Sequence, residues 1–457
     1  MAKTTPALAA AFVATLTLAN APAAFAADLG GNCCADLEER IAELEATTTR
    51  KGNRKVSLEI GGQVNEAVMF WDDGGESNAY VVTNDNARSR FRFRGKAKIN
   101  EDWEAGYAME TGVRITRSNR FTQSDDNAGS GLDLRDSYWF LKSKTYGGVS
   151  VGFQGTATDQ ITETNLTQTK DFAKLSDMED TGLGLNLRSS ASGLVSTNYQ
   201  FYELLGEAGD QPGDGDRRSN VVKYETPAYK GFSASTAWGE DDVWDVALRY
   251  AGEFGGFKVA AGIGYGENND GGYAGIDCNI TIAGDKDCSN FGGSASVMHI
   301  ETGLFISAGA GTKKDKLLDD SPVFAGTGAE DTQDFWALQA GIEKKFFPLG
   351  KTTVFGEYYD YEGAASRRRV DSAGAAADPA LNPAGPNAQV WSTGLEAYGF
   401  GIAQGIDNAA MVLYLHYRHV EADLALRDLN GAVASGAINN VDLEDLDIVT
   451  AGGIIKF

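Results

Sequence analysis

Arg90-Phe91-Arg92-Phe93-Arg94-Gly95-Lys96-Ala97-Lys98-Ile99 alternates without a break. Phe91, Phe93, Gly95, Ala97 and Ile99 share one face, and Arg90, Arg92, Arg94, Lys96 and Lys98 share the other. Only a β-strand separates these sets, because a helix of this length would smear five cations around its circumference. Five cations in register cannot face a packed interior. Taken alone, the stretch fits two architectures: a soluble sheet with one solvated face, or a transmembrane barrel with its apolar side to lipid and its basic side to water.

The surrounding chain separates the two. From Lys55 the pattern stays at period two. Val56, Leu58, Ile60, Gly62, Val64, Val68 and Phe70 share a face, with Glu66 as the exception. Trp103, Ala105, Tyr107, Met109 and Val113 repeat the pattern. So do Val195, Thr197, Tyr199 and Phe201, then Phe232, Ala234, Thr236 and Trp238, then Trp336, Leu338, Ala340 and Ile342. The register is ambiguous around residues 137–141, 354–361 and 411–419, where both faces carry large side chains. Short gaps such as 100–102, 226–231 and 252–256 alternate with long polar ones such as 204–220, 266–293 and 363–388. Tight turns at one rim and long loops at the other are how outer-membrane barrels are built, and a soluble sandwich has no reason to alternate this way.

Composition points the same way. The 457 residues include 56 Gly, 22 Phe, 17 Tyr and 7 Trp but 9 Pro, which suits many turns and aromatic girdles. The formal net charge of -24 excludes an ordinary nucleic-acid binder. Residues 1–26 have the form of a secretory signal, with Lys3, an apolar run from Ala7 to Leu18 and Ala24-Phe25-Ala26 as the cleavage site. In residues 27–54, Leu37, Ile41 and Leu44 form a short seam at coiled-coil spacing, too short to hold alone; a three-helix stalk and a frayed surface helix are both open. In an oxidising compartment Cys278 and Cys288 are expected to form a loop disulfide. Cys33 and Cys34 are adjacent, and inter-chain bridging is open to them.

An enzyme is poorly supported. The chain has 3 His. His416 and His419 are an odd number of residues apart, so a strand points them to opposite faces and they cannot share a metal. No nucleophile elbow or Walker loop is present. No metal site and no resident cofactor are expected, although the acidic loops are candidates for binding divalent cations at the cell surface.

Several stretches together resemble the outer-membrane porin family of alphaproteobacteria. They are Lys51 to Leu58, Ser89 to Lys98, Leu134 to Tyr138, Lys223-Tyr224-Glu225-Thr226-Pro227 with Gly231-Phe232, and Gln404 to Ala410 with Leu413-Tyr414. Thr450, Gly452, Ile455 and Phe457 are similar to the C-terminal signal read by the barrel assembly machinery, with Ile455 where an aromatic is usual. The resemblance implies an all-β transmembrane antiparallel barrel of sixteen strands over 55–457, assembled as a homotrimer in the outer membrane among lipopolysaccharide. It implies a third loop, near 155–182, folded into the pore and opposing its acids to a basic wall. Here the acids are Asp159, Glu163, Asp171, Asp177, Glu179 and Asp180. The wall is Arg90, Arg92, Arg94, Lys96 and Lys98, with Arg114 and Arg135 as weaker members. Ala27-Asp28 is similar to the start of barrels linked through that alanine to peptidoglycan in the periplasm.

The expected function is therefore a general diffusion porin for small hydrophilic solutes. The alternative is a structural barrel that tethers the membrane to peptidoglycan, which would require inward apolar residues plugging the lumen. Inward faces that are mostly charged, Gly or small favour the open pore. On ion preference the acidic total argues for a mild bias to cations, and the basic strand argues against it.

Overall fold

In the computed structural model the chain is described over residues 55–457, apart from 206–210, 216–217, 240–242, 270–277, 367, 373–375, 383–387 and 430–435. The signal segment, Ala27, Cys33, Cys34 and the seam of Leu37, Ile41 and Leu44 lie outside the described residues. Sixteen antiparallel strands close into a barrel. The first, Glu59–Asp72, pairs on one side with the basic strand Arg90–Lys98 and on the other with the last strand, Leu446–Lys456. Closure extends to the chain end, where Gly62 and Phe457 exchange backbone hydrogen bonds of 2.9 and 3.1 Å. In lipid this matters because an unpaired edge would leave backbone groups unsatisfied. Among the described residues no helix is long and apolar enough to cross a membrane.

The expected faces are observed. Ile60, Val64, Val68 and Phe70 point outward and are exposed, as are Trp238, Trp244 and Trp336 toward the loop rim and Phe232, Phe254, Phe257 and Phe346 toward the turn rim. Two aromatic girdles bracketing an apolar band suit the boundaries of a bilayer. Turns at 100–102, 144–146 and 255–256 are short, whereas residues 155–218 form one long excursion between the strands Gly147–Gln154 and Ser219–Glu225.

That excursion changes two expectations. Val195, Thr197, Tyr199 and Phe201 are not part of a barrel strand. They belong to a small hairpin, Asn186–Arg188 with Val195–Gln200, followed by the 3-10 turn Phe201–Leu205. The inserted loop therefore runs past 182 to 218. Leu183, Leu185, Leu187, Tyr199, Phe201, Leu204 and Leu205 are all buried, and they pack on the inner wall against Met69, Trp71, Tyr361, Leu395, Val420 and Ile448. Sequence periodicity reads this hairpin as one more barrel strand because a two-stranded ribbon with one buried face alternates in the same way.

The packing also explains the ambiguous registers. Phe355, Tyr359 and Tyr361 face the inserted segment while Val354 faces outward. In the strand Met411–Asp428, Tyr414 and His416 face inward and Leu413 and Leu415 outward. Both faces are large because both are covered, one by lipid and one by protein. Here the inward faces are not charged, Gly or small as expected, and on this side the lumen is filled.

At the long-loop rim, Cys278 and Cys288 are disulfide-bonded, with Cα atoms 5.6 Å apart. Ile280, Leu318, Phe324 and Ala365 form a small core beside them, so three long loops share one support.

Candidate functional site

The first half of the excursion lies flat along the inner wall and is fastened by side chains from successive strands. Asp245 accepts from the backbone N–H of Ala157 (3.0 Å) and Thr158 (2.7 Å). Ser294 accepts from the N–H of Thr164 (2.9 Å), and Glu343 from the N–H of Gln168 (2.7 Å). Gln339 donates to the carbonyl of Ala173 at 3.0 Å. These bonds satisfy backbone groups that a buried loop would otherwise leave unpaired. The approach is close enough to need glycine: a Cβ on Gly309 would stand 2.6 Å from the Thr162 carbonyl oxygen, and one on Gly311 2.1 Å from that of Pro212. Many of the small inward residues thus make room for the loop rather than for water.

From the other side the wall comes inward to meet it. The strand Ser77–Thr83 pairs with the upper part of Glu59–Asp72, and Arg90–Lys98 pairs with the lower part. Between them residues 84–89 leave the sheet and protrude into the lumen. Asn84 donates to the carbonyl of Phe172 at 3.2 Å, and Asn86 Oδ1 accepts from the N–H of Lys174 at 2.8 Å. Phe172 also stacks on Tyr414, with ring centroids 4.6 Å apart.

What remains between loop and wall is a cavity of about 650 Å³. One side carries Arg88, Arg90, Arg135 and Arg218, with Asp85 and Asp133. The other carries Glu163, Asp171 and Asp180, with Lys170 and Lys174. Of the expected basic wall, the cavity thus takes Arg90 and Arg135. Arg114 is buried beside it and bonded to Asp85 (2.7 Å) and Asp133 (3.0 Å). Lys96 and Lys98 lie at the turn rim with Asn100, Glu101 and Asp102, and Arg92 and Arg94 fall between rim and cavity. Arg135 enters through a β-bulge, which turns it and Asp136 inward in succession. Strict alternation could not show that.

The acidic loop divides likewise. Glu163, Asp171 and Asp180 line the cavity, whereas Asp159, Asp177 and Glu179 do not. Asp177 and Glu163 both bind Lys174, the latter at 2.9 Å. Asp171 binds Lys456 at 2.6 Å. The Asp180 carboxyl accepts from Asn119 at 2.7 Å. Burial, then the neighbouring carboxylates of Asp177 and Asp85, push it up to about 7.

The facing arginines are paired on their own wall rather than across the gap. Glu110 accepts from Arg90 (3.1 Å) and Arg135 (2.8 Å), and Arg218 reaches Asp136 at 3.3 Å. Asp85, whose side chain is fully buried, gathers Arg114, Arg88 and Arg117. Each guanidinium therefore keeps its geometry while its charge is largely compensated. Arg88 and Arg218 are cavity residues that the sequence argument passed over. Arg88 extends the alternating run by one step, a signal that was there to be used; Arg218 is brought in by the long excursion and had none.

Elsewhere, His416 is buried and bonded to Glu357 at 2.8 Å, while His419 faces outward against Asp447 at 2.9 Å. Among the described residues no group of three or more His, Cys, Asp or Glu side chains is arranged to hold a metal ion.

The family model for Gram-negative porins matches residues 7–385. OmpT, an outer membrane protein of Vibrio cholerae, superposes with a TM-score of 0.50 at 13% identity, covering 90% of this chain and 100% of its own. OprB of Pseudomonas putida superposes with a TM-score of 0.51 at 10% identity, covering 92% of this chain and 97% of its own. At those identities the likeness concerns the fold alone. No curated protein matches the sequence.

Proposed function

The chain belongs to the family of Gram-negative porins, and from that premise we propose that it is a general diffusion channel, passing small hydrophilic solutes and ions passively across the outer membrane. The observation that carries this reading is the polar cavity between the loop and the arginine wall, about 650 Å³ in volume. Opposed charged groups across a narrow wet gap orient dipolar solutes. Apolar ones fare worse, having nothing to offer in exchange for the ordered water they displace. His416 and His419, directed to opposite faces, support a channel rather than an enzyme.

A second reading has one observation in its favour. The packed hairpin of residues 186–200 gives half the lumen the apolar filling that a tethering barrel with secondary transport would have. The charged cavity beside it weighs for the channel. Planar-bilayer recording on the purified, unheated protein separates the two. Discrete conductance steps arriving in threes are expected of an open homotrimer, and silent insertion of folded protein would leave the tether.

The same proposal includes the remaining partners. The C-terminal residues Thr450, Gly452, Ile455 and Phe457 would be read by the barrel assembly machinery, and the outer face would sit in lipopolysaccharide, with divalent cations at the acidic loops. Ala27 would be joined to peptidoglycan in the periplasm, the stalk of Leu37, Ile41 and Leu44 lying beneath the trimer. A muropeptide on Ala27 in digested sacculi is expected; complete release by hot detergent would end that part.

A further inference from the structure

We propose that the channel is a path for small anions, carried by a ladder of uncompensated cations, Arg92, Arg94, Lys96 and Lys98, between the cavity and the turn rim. This rests on the channel reading and adds the class of solute to it.

Two independent features point there. The first is where the lumen is left open. Loop residues 155–180 cover the inner wall of the strands between Phe232 and Phe347, and the hairpin of residues 186–200 covers the wall around Trp71, Tyr361 and Val420. The cavity that survives is bounded on the barrel side by Arg88, Arg90, Arg135 and Arg218. A solute leaving it toward the turn rim starts on the strand that begins with Arg90.

The second feature is charge pairing. Three other inward cations near that rim hold a carboxylate, Lys142 with Glu225 at 3.8 Å, Lys258 with Glu253 at 3.3 Å and Lys351 with Glu343 at 2.8 Å, while Lys223 and Arg249 are engaged by loop carbonyls at 2.9 and 2.7 Å. The four arginines lining the cavity are paired too. Among the described residues, Arg92, Arg94, Lys96 and Lys98 have no carboxylate at ion-pair distance. Three carboxylates stand opposite them in the pairing register. Glu110 opposite Arg92 is taken by Arg90 and Arg135, and Glu59 and Glu104 stand beside Arg94 and Lys98 without bonding them. Alternate residues on a strand are about 7 Å apart, so the ladder offers a mobile anion a new cation at each step. Net attraction along a wall raises the local concentration of the opposite charge, and weak repeated sites let it leave. Some of the acidity that argues for cations stands close by, Glu101, Asp102 and Glu104 at this rim, but none of it is at ion-pair distance from the ladder.

The test is the reversal potential of wild-type channels in a potassium chloride gradient, repeated with potassium phosphate, and compared with two triple variants. R94Q/K96Q/K98Q removes exposed side chains that hold no partner, and K142Q/K258Q/K351Q removes paired ones. Chloride and phosphate preference is expected in the wild type, falling at least about threefold in the first variant and much less in the second. Potassium preference in the wild type, or equal shifts in both variants, would overturn the proposal. Should a triple variant fail the heat-modifiability check for folding, Arg94→Gln alone must move the potential in the same direction. Folded protein that never conducts would instead remove the channel reading on which this one stands.

Discussion

In the loop-side half of the barrel the inner wall carries Met69, Trp71, Tyr361 and Val420 on one side and Arg88, Arg90 and Arg135 on the other, and the two sides are closed by different physics. The first is sealed mainly by apolar side chains of the inserted segment, with a few directional bonds such as Thr393 donating to the Leu204 carbonyl at 2.6 Å. The second is held open by guanidinium groups that cannot approach one another and are kept upright by carboxylates on their own wall. Hydrophobic burial has no charge for salt to screen and does not sense the sign of a solute, whereas the charged side responds to both. One barrel thus sets the width of its path with packing and the character of that path with charge.

The sharpest way to break this division is at Asp85. Its carboxylate is fully buried among Arg114, Arg88 and Arg117. Asp85→Asn takes one buried carboxylate from three arginines, two of which, Arg88 and Arg114, keep Asp133. The cost should therefore fall at or below the low end of the about 3–5 kcal/mol of a fully broken buried pair. The unfolding midpoint in denaturant should drop accordingly, and the reversal potential should move toward anions. If stability falls while selectivity holds, the arginine wall does not act on the solute. On the apolar side the equivalent probe is Leu204→Ala, at a fully buried position. A cost of about 2–5 kcal/mol is expected from the lost contacts and the cavity left behind. Conductance should rise as the hairpin loosens, with the reversal potential unchanged. A shift in that potential would mean that the two sides are coupled.

The two sides were also unequally legible. The basic strand, the tight turns and the outward face of nearly every strand could be read from alternation, because lipid and water impose a strict period of two. Arg135, placed by a bulge, and residues 84–89, which leave the sheet altogether, could not, because nothing local marks where a strand gives up its register. The filled side was hidden for a different reason. Tyr359, Tyr361 and Tyr414 looked merely ambiguous, since the partner that buries their inward face lies in a segment far away in sequence that itself resembled a strand. Glycines such as Gly309 and Gly311 were read as open space, whereas they are where a loop touches the wall. A small inward residue means either water or a close neighbour, and the sequence alone does not say which.

The smallest effect expected is at Asp180, and it bears on the line where loop and arginine wall meet. Its carboxyl titrates near 7 in the folded protein, against about 3.9 in an unfolded chain. The charged groups facing it are Asp177 and Asp85, which raise it, and Arg88 and Lys174, which lower it, with burial the largest cause. Because the folded value is the higher one, its contribution to stability is complete below the unfolded value. That contribution is lost as pH rises through the interval to about 7 and absent above it. In the folded protein the cavity gains one negative charge only as pH passes through about 7. Anion preference should therefore weaken modestly between pH 6 and pH 8, and Asp180→Asn, which can still accept from Asn119, should flatten that part of the profile. A wild-type profile already flat there would mean that Asp180 is screened from the solute path. The charge of the path would then be set by the wall and the ladder beneath it, with no share from the loop.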